Sequence, residues 1–125
     1  MLVDTDVIIW YMRGNPHALE TLEELGGFNI SVISYMELVQ GMRNKNELTA
    51  LRQTLKAWHV KIIYLNEEIS SKAMFYVEQH YLSHSLQLAD ALIAATAVAY
   101  GSPLLTGNSK HYKILKEMDL LIFKP

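Results

Sequence analysis

The sequence predicts an α/β fold: a three-layer α/β/α domain with a central, mostly parallel sheet of four to five short strands. Three observations carry this reading. Short apolar runs alternate with helix-length segments along the whole chain. Those runs are apolar at successive positions, as in strands covered on both faces. The chain has 125 residues, half of them hydrophobic and 19% charged, which is the size and composition of one globular domain over residues 1–125.

The elements follow in order. Residues 1–4 read as a short buried strand. Residues 7–12 are apolar and helical, and Arg13-Gly14-Asn15-Pro16 is loop chemistry. Pro16 suits the first turn of a helix over 16–25, which Gly26-Gly27 ends. The β-branched run 28–33 is a second strand. Ser34-x-x-Glu37 has capping-box spacing, which predicts that a helix begins at Ser34. Leu48, Leu51, Leu55 and Trp58 share one face of a helix over 47–59. Residues 60–65 form a third strand, and Asn66 caps a helix over 67–81. A helix over 86–100 stops at Gly101. A strand at 103–106, a helix over 109–117 and a strand at 120–123 complete the chain.

Composition excludes several classes. With no cysteine there is no disulfide, thiolate nucleophile or cysteine-type zinc site. No charge-free apolar run reaches the roughly 18 residues that span a bilayer, and the N-terminus lacks the order of a signal peptide. A cytoplasmic protein is expected. The net charge of −2 argues against a general nucleic-acid binder. Two segments are locally basic: Arg43, Lys45, Arg52 and Lys56, then Lys110, Lys113 and Lys116 interleaved with His111 and Tyr112. Each also reads as a solvated helix face.

The acidic residues are the informative ones. Asp90 lies inside an apolar stretch, 86–99, whose helix should be nearly surrounded by protein, and no Lys or Arg occurs between Lys72 and Lys110. An unpaired carboxylate there costs several kcal/mol. Asp4 ends the apolar opening, and Glu37 follows the apolar run 30–36. Three carboxylates in core-like contexts without nearby cations suggest a shared metal ion. Each has a structural alternative. Asp4 and Asp6 share one face if strand geometry persists, or they cap the following helix. Glu37 reaches back to a helix cap, or it is a ligand. Asp90 finds a hydroxyl, with Ser83, Ser85 and Thr96 nearby, or it is a ligand. Thr106 ends a strand and Asn108 follows it, where ligands gather in such sheets; they bond the carboxylates, hold waters or contact a phosphate, or they form an ordinary strand-to-helix turn with Asn or Ser as the cap. His111 is a metal or phosphate contact, or a surface residue. His17, His59, His80 and His84 have no zinc-like spacing and read as surface or structural.

Taken in order, Leu2-Val-Asp4-Thr-Asp6-Val-Ile-Ile, Ser34-x-x-Glu37-Leu, Leu88-Ala-Asp90-Ala-Leu-Ile-Ala-Ala and Thr106-Gly-Asn108 closely resemble the PIN-domain nucleases, and within them the small VapC-type toxins. The resemblance covers essentially the whole chain. It implies a metal-dependent endoribonuclease, usually a homodimer, inhibited by a cognate antitoxin and leaving 5′-phosphate and 3′-hydroxyl ends. Asp4, Glu37 and Asp90 would hold Mg²⁺ or Mn²⁺, Asp6 would assist from the rim, and Thr106 and Asn108 would support the site. Many members carry a further aspartate where this chain has His111. Histidine is a poorer ligand for Mg²⁺ than for Mn²⁺, so one ion is expected and a second position is left open. Arg43, Lys45, Lys110 and Lys113 are candidates for guiding an RNA backbone. Without metal, carboxylates about 4 Å apart repel by about 4 kcal/mol at an effective dielectric near 20, so Asp90→Asn is expected to stabilise the metal-free protein.

Two rival readings stand beside this one. A catalytically degenerate PIN-like module would bind RNA or a partner without cutting. Asp4-Thr-Asp6 after a strand also resembles haloacid-dehalogenase-like phosphohydrolases, but those need a downstream acidic pair, and only Asp90 and Asp119 follow as aspartates. The apolar segment 7–12, with Leu38 and Met42, exceeds what one short helix needs for a core. It is expected either to line a groove for an antitoxin helix or tail, or to be ordinary core plus a dimer interface.

Overall fold

The computed structural model describes residues 1–83 and 85–125; His84, read above as surface or structural, lies outside them. Five short strands, β1 (Leu2–Val3), β2 (Asn29–Ser31), β3 (Lys61–Ile63), β4 (Leu104–Thr106) and β5 (Leu120–Ile122), form one sheet in the order β3-β2-β1-β4-β5. Every neighbouring pair is parallel. The helices are α1 (Thr5–Met12), α2 (Pro16–Glu24), α3 (Val32–Gln40), α4 (Lys45–Ala57), α5 (Glu67–His80), α6 (Leu88–Ala99) and α7 (Ser109–Tyr112).

The three layers follow from side-chain alternation on strands buried on both faces. Leu2, Ile63 and Leu104 join one apolar cluster with Ile69, Ala73 and Tyr76 of α5 and Ala91, Ile93 and Ala94 of α6. Val3, Ile30 and Leu105 join the opposite cluster with Val7 and Ile8 of α1, Leu22 of α2 and Leu51 and Leu55 of α4. Successive strand residues point to opposite faces, so both must be apolar. Among the described residues, no helix is long and apolar enough to cross a membrane.

Strand order positions the site. From the central β1, the sheet extends through β2 and β3 on one side and through β4 and β5 on the other. The order reverses between β1 and β4, and in such sheets the crevice beyond the carboxyl ends at that point is where ligands bind. Asp4 follows β1, and Thr106 ends β4.

Three expectations are corrected. Asp4-Thr5-Asp6 is not a continuation of the strand: Asp4 is the N-cap of α1, and Thr5 and Asp6 lie in its first turn. The second strand stops at Ser31, whose Oγ accepts the Ile33 N–H at 3.0 Å and caps α3. Val32 and Ile33 are therefore helical despite being β-branched, because that preference is weak and a buried cap outweighs it. Ser34 falls inside the helix, and Glu37 stands beyond the first turn rather than closing a capping box. The helix expected over 109–117 spans only Ser109–Tyr112, after which the chain proceeds through turns, with the Met118 N–H bonded to the Leu115 carbonyl.

The caps read from sequence at Pro16 and Asn66 are present: Pro16 opens α2, and Asn66 Oδ1 accepts the Ile69 N–H at 2.9 Å. Asn66→Ala is expected to lower stability by about 1 kcal/mol in urea denaturation. An unchanged midpoint would show that the cap contributes nothing.

Candidate active site

Asp4 is the centre of the site. Its backbone N–H bonds the Leu105 carbonyl at 2.9 Å, which fixes it beside β4. Its side chain is only 5% exposed. Oδ1 accepts the Thr5 N–H at 2.8 Å, and Oδ2 accepts two hydroxyls, Thr106 Oγ1 at 2.8 Å and Tyr112 Oη at 2.9 Å. Burial, and then the nearby charge of Asp6, push its pKa from 3.8 to about 6 despite those three donors. The Tyr112 hydroxyl is pushed far above the ordinary phenol range by burial, then by Asp4 and Asp90, so it remains a donor.

Asp6 approaches from the first turn of α1. Its Oδ2 accepts the Gly107 N–H at 2.8 Å, while Oδ1 is buried with no hydrogen-bond partner among the described residues. Burial is the main cause of its raised pKa. Gly107 has to be glycine here: a Cβ would stand 2.6 Å from Asp6 Oδ2 and 3.3 Å from the Phe123 carbonyl oxygen.

Glu37 and Asp90 form the open rim. Glu37 is exposed, and its Oε1 accepts the Thr5 hydroxyl at 2.7 Å. Asp90 Oδ2 accepts the Gln87 N–H at 3.0 Å and lies 3.5 Å from His111 Nδ1. The side chain of Asp90 is 14% exposed, which corrects the expectation of a deeply enclosed acid. The helix starts at Leu88, so Asp90 lies in the first turn, where the helix dipole favours its charge; complete burial begins at Ala91. The hydroxyls suggested for it are engaged elsewhere: Ser83 and Ser85 pair at 2.9 Å, and Thr96 donates to the Leu92 carbonyl at 2.8 Å.

Thr106 is fully buried and accepts the Asn108 N–H at 2.9 Å while donating to Asp4. Segment 106–112 thus reaches three of the four acids: Thr106 and Tyr112 bond Asp4, Gly107 bonds Asp6, and His111 faces Asp90. Sequence reasoning missed Thr5, Gly107 and Tyr112 as site residues. Thr5 joins two acids, its N–H on Asp4 and its hydroxyl on Glu37. The one available signal was position: Thr5 lies between the paired aspartates, and Tyr112 follows His111.

The chemistry of this donor set suits a hard divalent cation. All four acids offer oxygen, and among the described residues no Lys or Arg pairs with any of them. As the side chains stand, no three Asp, Glu or His residues among those described are close enough to hold an ion. Thr5 keeps Glu37, and the Gln87 N–H keeps Asp90, in their present places. Of the basic candidates, Arg43 is committed to Glu47, with Nη2 to Oε2 at 3.1 Å. Lys45, Lys110 and Lys113 are exposed, the last two on either side of His111 and Tyr112. His17, His59 and His80 do not join the acids; His17 stacks on Phe123 at 5.3 Å.

A groove of about 610 Å³ opens between α1, α3 and α4, with Glu37 on its wall. It is lined by Ile8, Ile9, Met12, Leu38 and Met42, residues of the apolar segments singled out above, and bordered by Arg13.

A family model for the PIN domain matches residues 1–117. The chain belongs to the PIN-domain family. The family's relatives include Ribonuclease VapC1 of Methanocaldococcus jannaschii, 34% identical over 98% of this chain and 86% of that protein. Ribonuclease VapC19 of Mycobacterium tuberculosis is 32% identical over 94% of this chain and 96% of that protein. Among solved structures, a toxin-antitoxin complex from Klebsiella pneumoniae contains a chain with TM-score 0.80 and 26% identity, covering 96% of this chain and 94% of that one. DNA-bound VapBC from Salmonella typhimurium shares the fold at TM-score 0.84 and 16% identity, with 97% and 96% covered. The PIN-domain assignment agrees with the α/β/α layers and the parallel sheet.

Because the folded pKa of Asp4 lies above its unfolded value, the folded state binds this proton more tightly. Metal-free stability should therefore rise as pH falls through about 6 toward about 4, where the unfolded chain also protonates. Melting temperatures in chelator at stepwise pH check this. Asp4→Asn should flatten that rise, and an equal rise in the variant would assign it to another group.

Proposed function

We propose that this chain is a divalent-metal-dependent endoribonuclease, the toxin of a toxin–antitoxin pair. The carrying observation is the buried Asp4 at the sheet's switch point, held by three donors, paired with no Lys or Arg among the described residues, and linked through Thr5 to Glu37 and through segment 106–112 to Asp6 and Asp90. The names of the relatives, VapC ribonucleases, support the same reading.

Asp4, Glu37 and Asp90 would hold Mg²⁺ or Mn²⁺, with one ion proposed. When bound, the cation supplies the Lewis acidity and positive charge that phosphodiester hydrolysis requires. The protein's own groups bind and orient. Thr106 and Tyr112 fix Asp4, Gly107 fixes Asp6 at the rim, and His111 faces Asp90. Asn108 supports Thr106. Lys110, Lys113 and Lys45, all exposed, would meet phosphates, whereas Arg43 must first leave Glu47. Water attacks phosphorus in line, the P–O3′ bond breaks, and the ends are a 5′-phosphate and a 3′-hydroxyl.

The apolar groove, with arginines and glutamates at its border, supports an antitoxin helix or tail as its occupant. The exposed Met74, Phe75, Tyr81 and Leu82 support a homodimer, since such apolar surface is unusual on a monomer.

Purified protein and Asp90→Asn are compared on total RNA in Mg²⁺ or Mn²⁺. Discrete cuts by the wild type that vanish in chelator and in the variant are expected. Absence of cutting by folded, partner-free wild type in either metal would favour the degenerate binding module.

A further inference from the structure

Asp4 has fewer open positions than a carboxylate usually offers. An ionised carboxylate has about four lone-pair directions, two on each oxygen. Oδ2 receives both the Thr106 and the Tyr112 hydroxyl, and Oδ1 receives the Thr5 N–H. The one remaining direction is on Oδ1. Tyr112 is completely buried and donates across 108 positions of sequence, so its hydroxyl arrives from a fixed place in the core.

We infer that Tyr112 is a positioning residue that, together with Thr106, closes Oδ2 of Asp4 and restricts it to one-oxygen coordination, thereby favouring Mg²⁺ and Mn²⁺ over Ca²⁺. The inference rests on the metal site proposed above. Small octahedral cations take single carboxylate oxygens and retain water, whereas Ca²⁺ accepts six to eight oxygens and often grips a carboxylate by both. With Oδ2 occupied, the second grip is closed. Thr106 alone does not close it, since one hydroxyl leaves one lone pair of Oδ2 free. A phenylalanine at 112 would retain the ring packing and reopen that position.

The test is calorimetric titration of Mn²⁺ and of Ca²⁺ into the full chain, as wild type, Tyr112→Phe, Thr106→Val and Tyr76→Phe. Tyr112→Phe should weaken Mn²⁺ binding by about 10-fold or more without weakening Ca²⁺ binding, so the preference for Mn²⁺ narrows by the same factor. Thr106→Val removes the other donor to Oδ2, should shift the preference in the same direction, and serves if Tyr112→Phe does not fold. Tyr76 is also buried, and its hydroxyl bonds Glu117 rather than an acid of the site. Tyr76→Phe should therefore lose stability while keeping the metal preference. If wild type binds Mn²⁺ and the preference is unchanged in Tyr112→Phe and Thr106→Val, or both metals weaken equally, the role given to Tyr112 is wrong and the metal site stands. If wild type binds neither metal, the site itself is wrong, and this inference falls with it.

Discussion

A carboxylate enclosed in the protein interior, with no Lys or Arg partner among the described residues, is the constraint around which this fold is arranged. Asp4 ends the central strand and begins the first helix, so it cannot move away from the sheet without disturbing both. Its charge is held by donors from α1, β4 and α7, which meet only if the sheet is assembled in the observed order. Those donors do not fully offset burial, as the raised pKa shows. A metal-free protein therefore carries a cost on the order of 3 kcal/mol at neutral pH. The cation proposed for this site would offset that cost, and its binding would then be coupled to stability.

The four acids divide into an inner pair and an outer pair. Asp4 and Asp6 are buried or half-buried and bonded to the backbone or to buried hydroxyls. Glu37 and Asp90 sit at the rim on hydrogen bonds that a cation can replace, from the Thr5 hydroxyl and the Gln87 N–H. As the side chains stand, no three of the described Asp, Glu or His residues converge closely enough to hold an ion. Two pieces of chain touch both pairs: Thr5, which bonds Asp4 and Glu37, and segment 106–112, which reaches Asp4, Asp6 and Asp90.

The layers and the succession of elements are legible because they depend on local patterns: apolar strands, helix starts at Pro16 and Asn66, and the stop at Gly101, whose φ is +59°; the order of the strands in the sheet is not, because it depends on pairings between distant segments. Asp4 was legible because its neighbours Leu2 and Val3 are unmistakably core. Asp90 was over-read. Leu86 and Leu88 look like buried helix positions, yet Leu88 is 70% exposed and the helix has barely begun at Asp90. The start of α3 was misread because Ser31 and Ser34 both offer caps, and the choice depends on where β2 loses its partner Ile63. Thr5, Gly107 and Tyr112 have no local signal beyond their position beside candidate site residues. Their partners lie 32, 101 and 108 positions away, a separation that only the folded chain closes.

The most direct measurement is anomalous diffraction from crystals of the metal-free protein soaked in Mn²⁺. One peak against Asp4 Oδ1, with Glu37 and Asp90 drawn toward it, is the predicted result. A soaked crystal with no peak at Asp4, or with Mn²⁺ bound only away from these acids, would contradict the claim that the buried carboxylate exists to hold a cation.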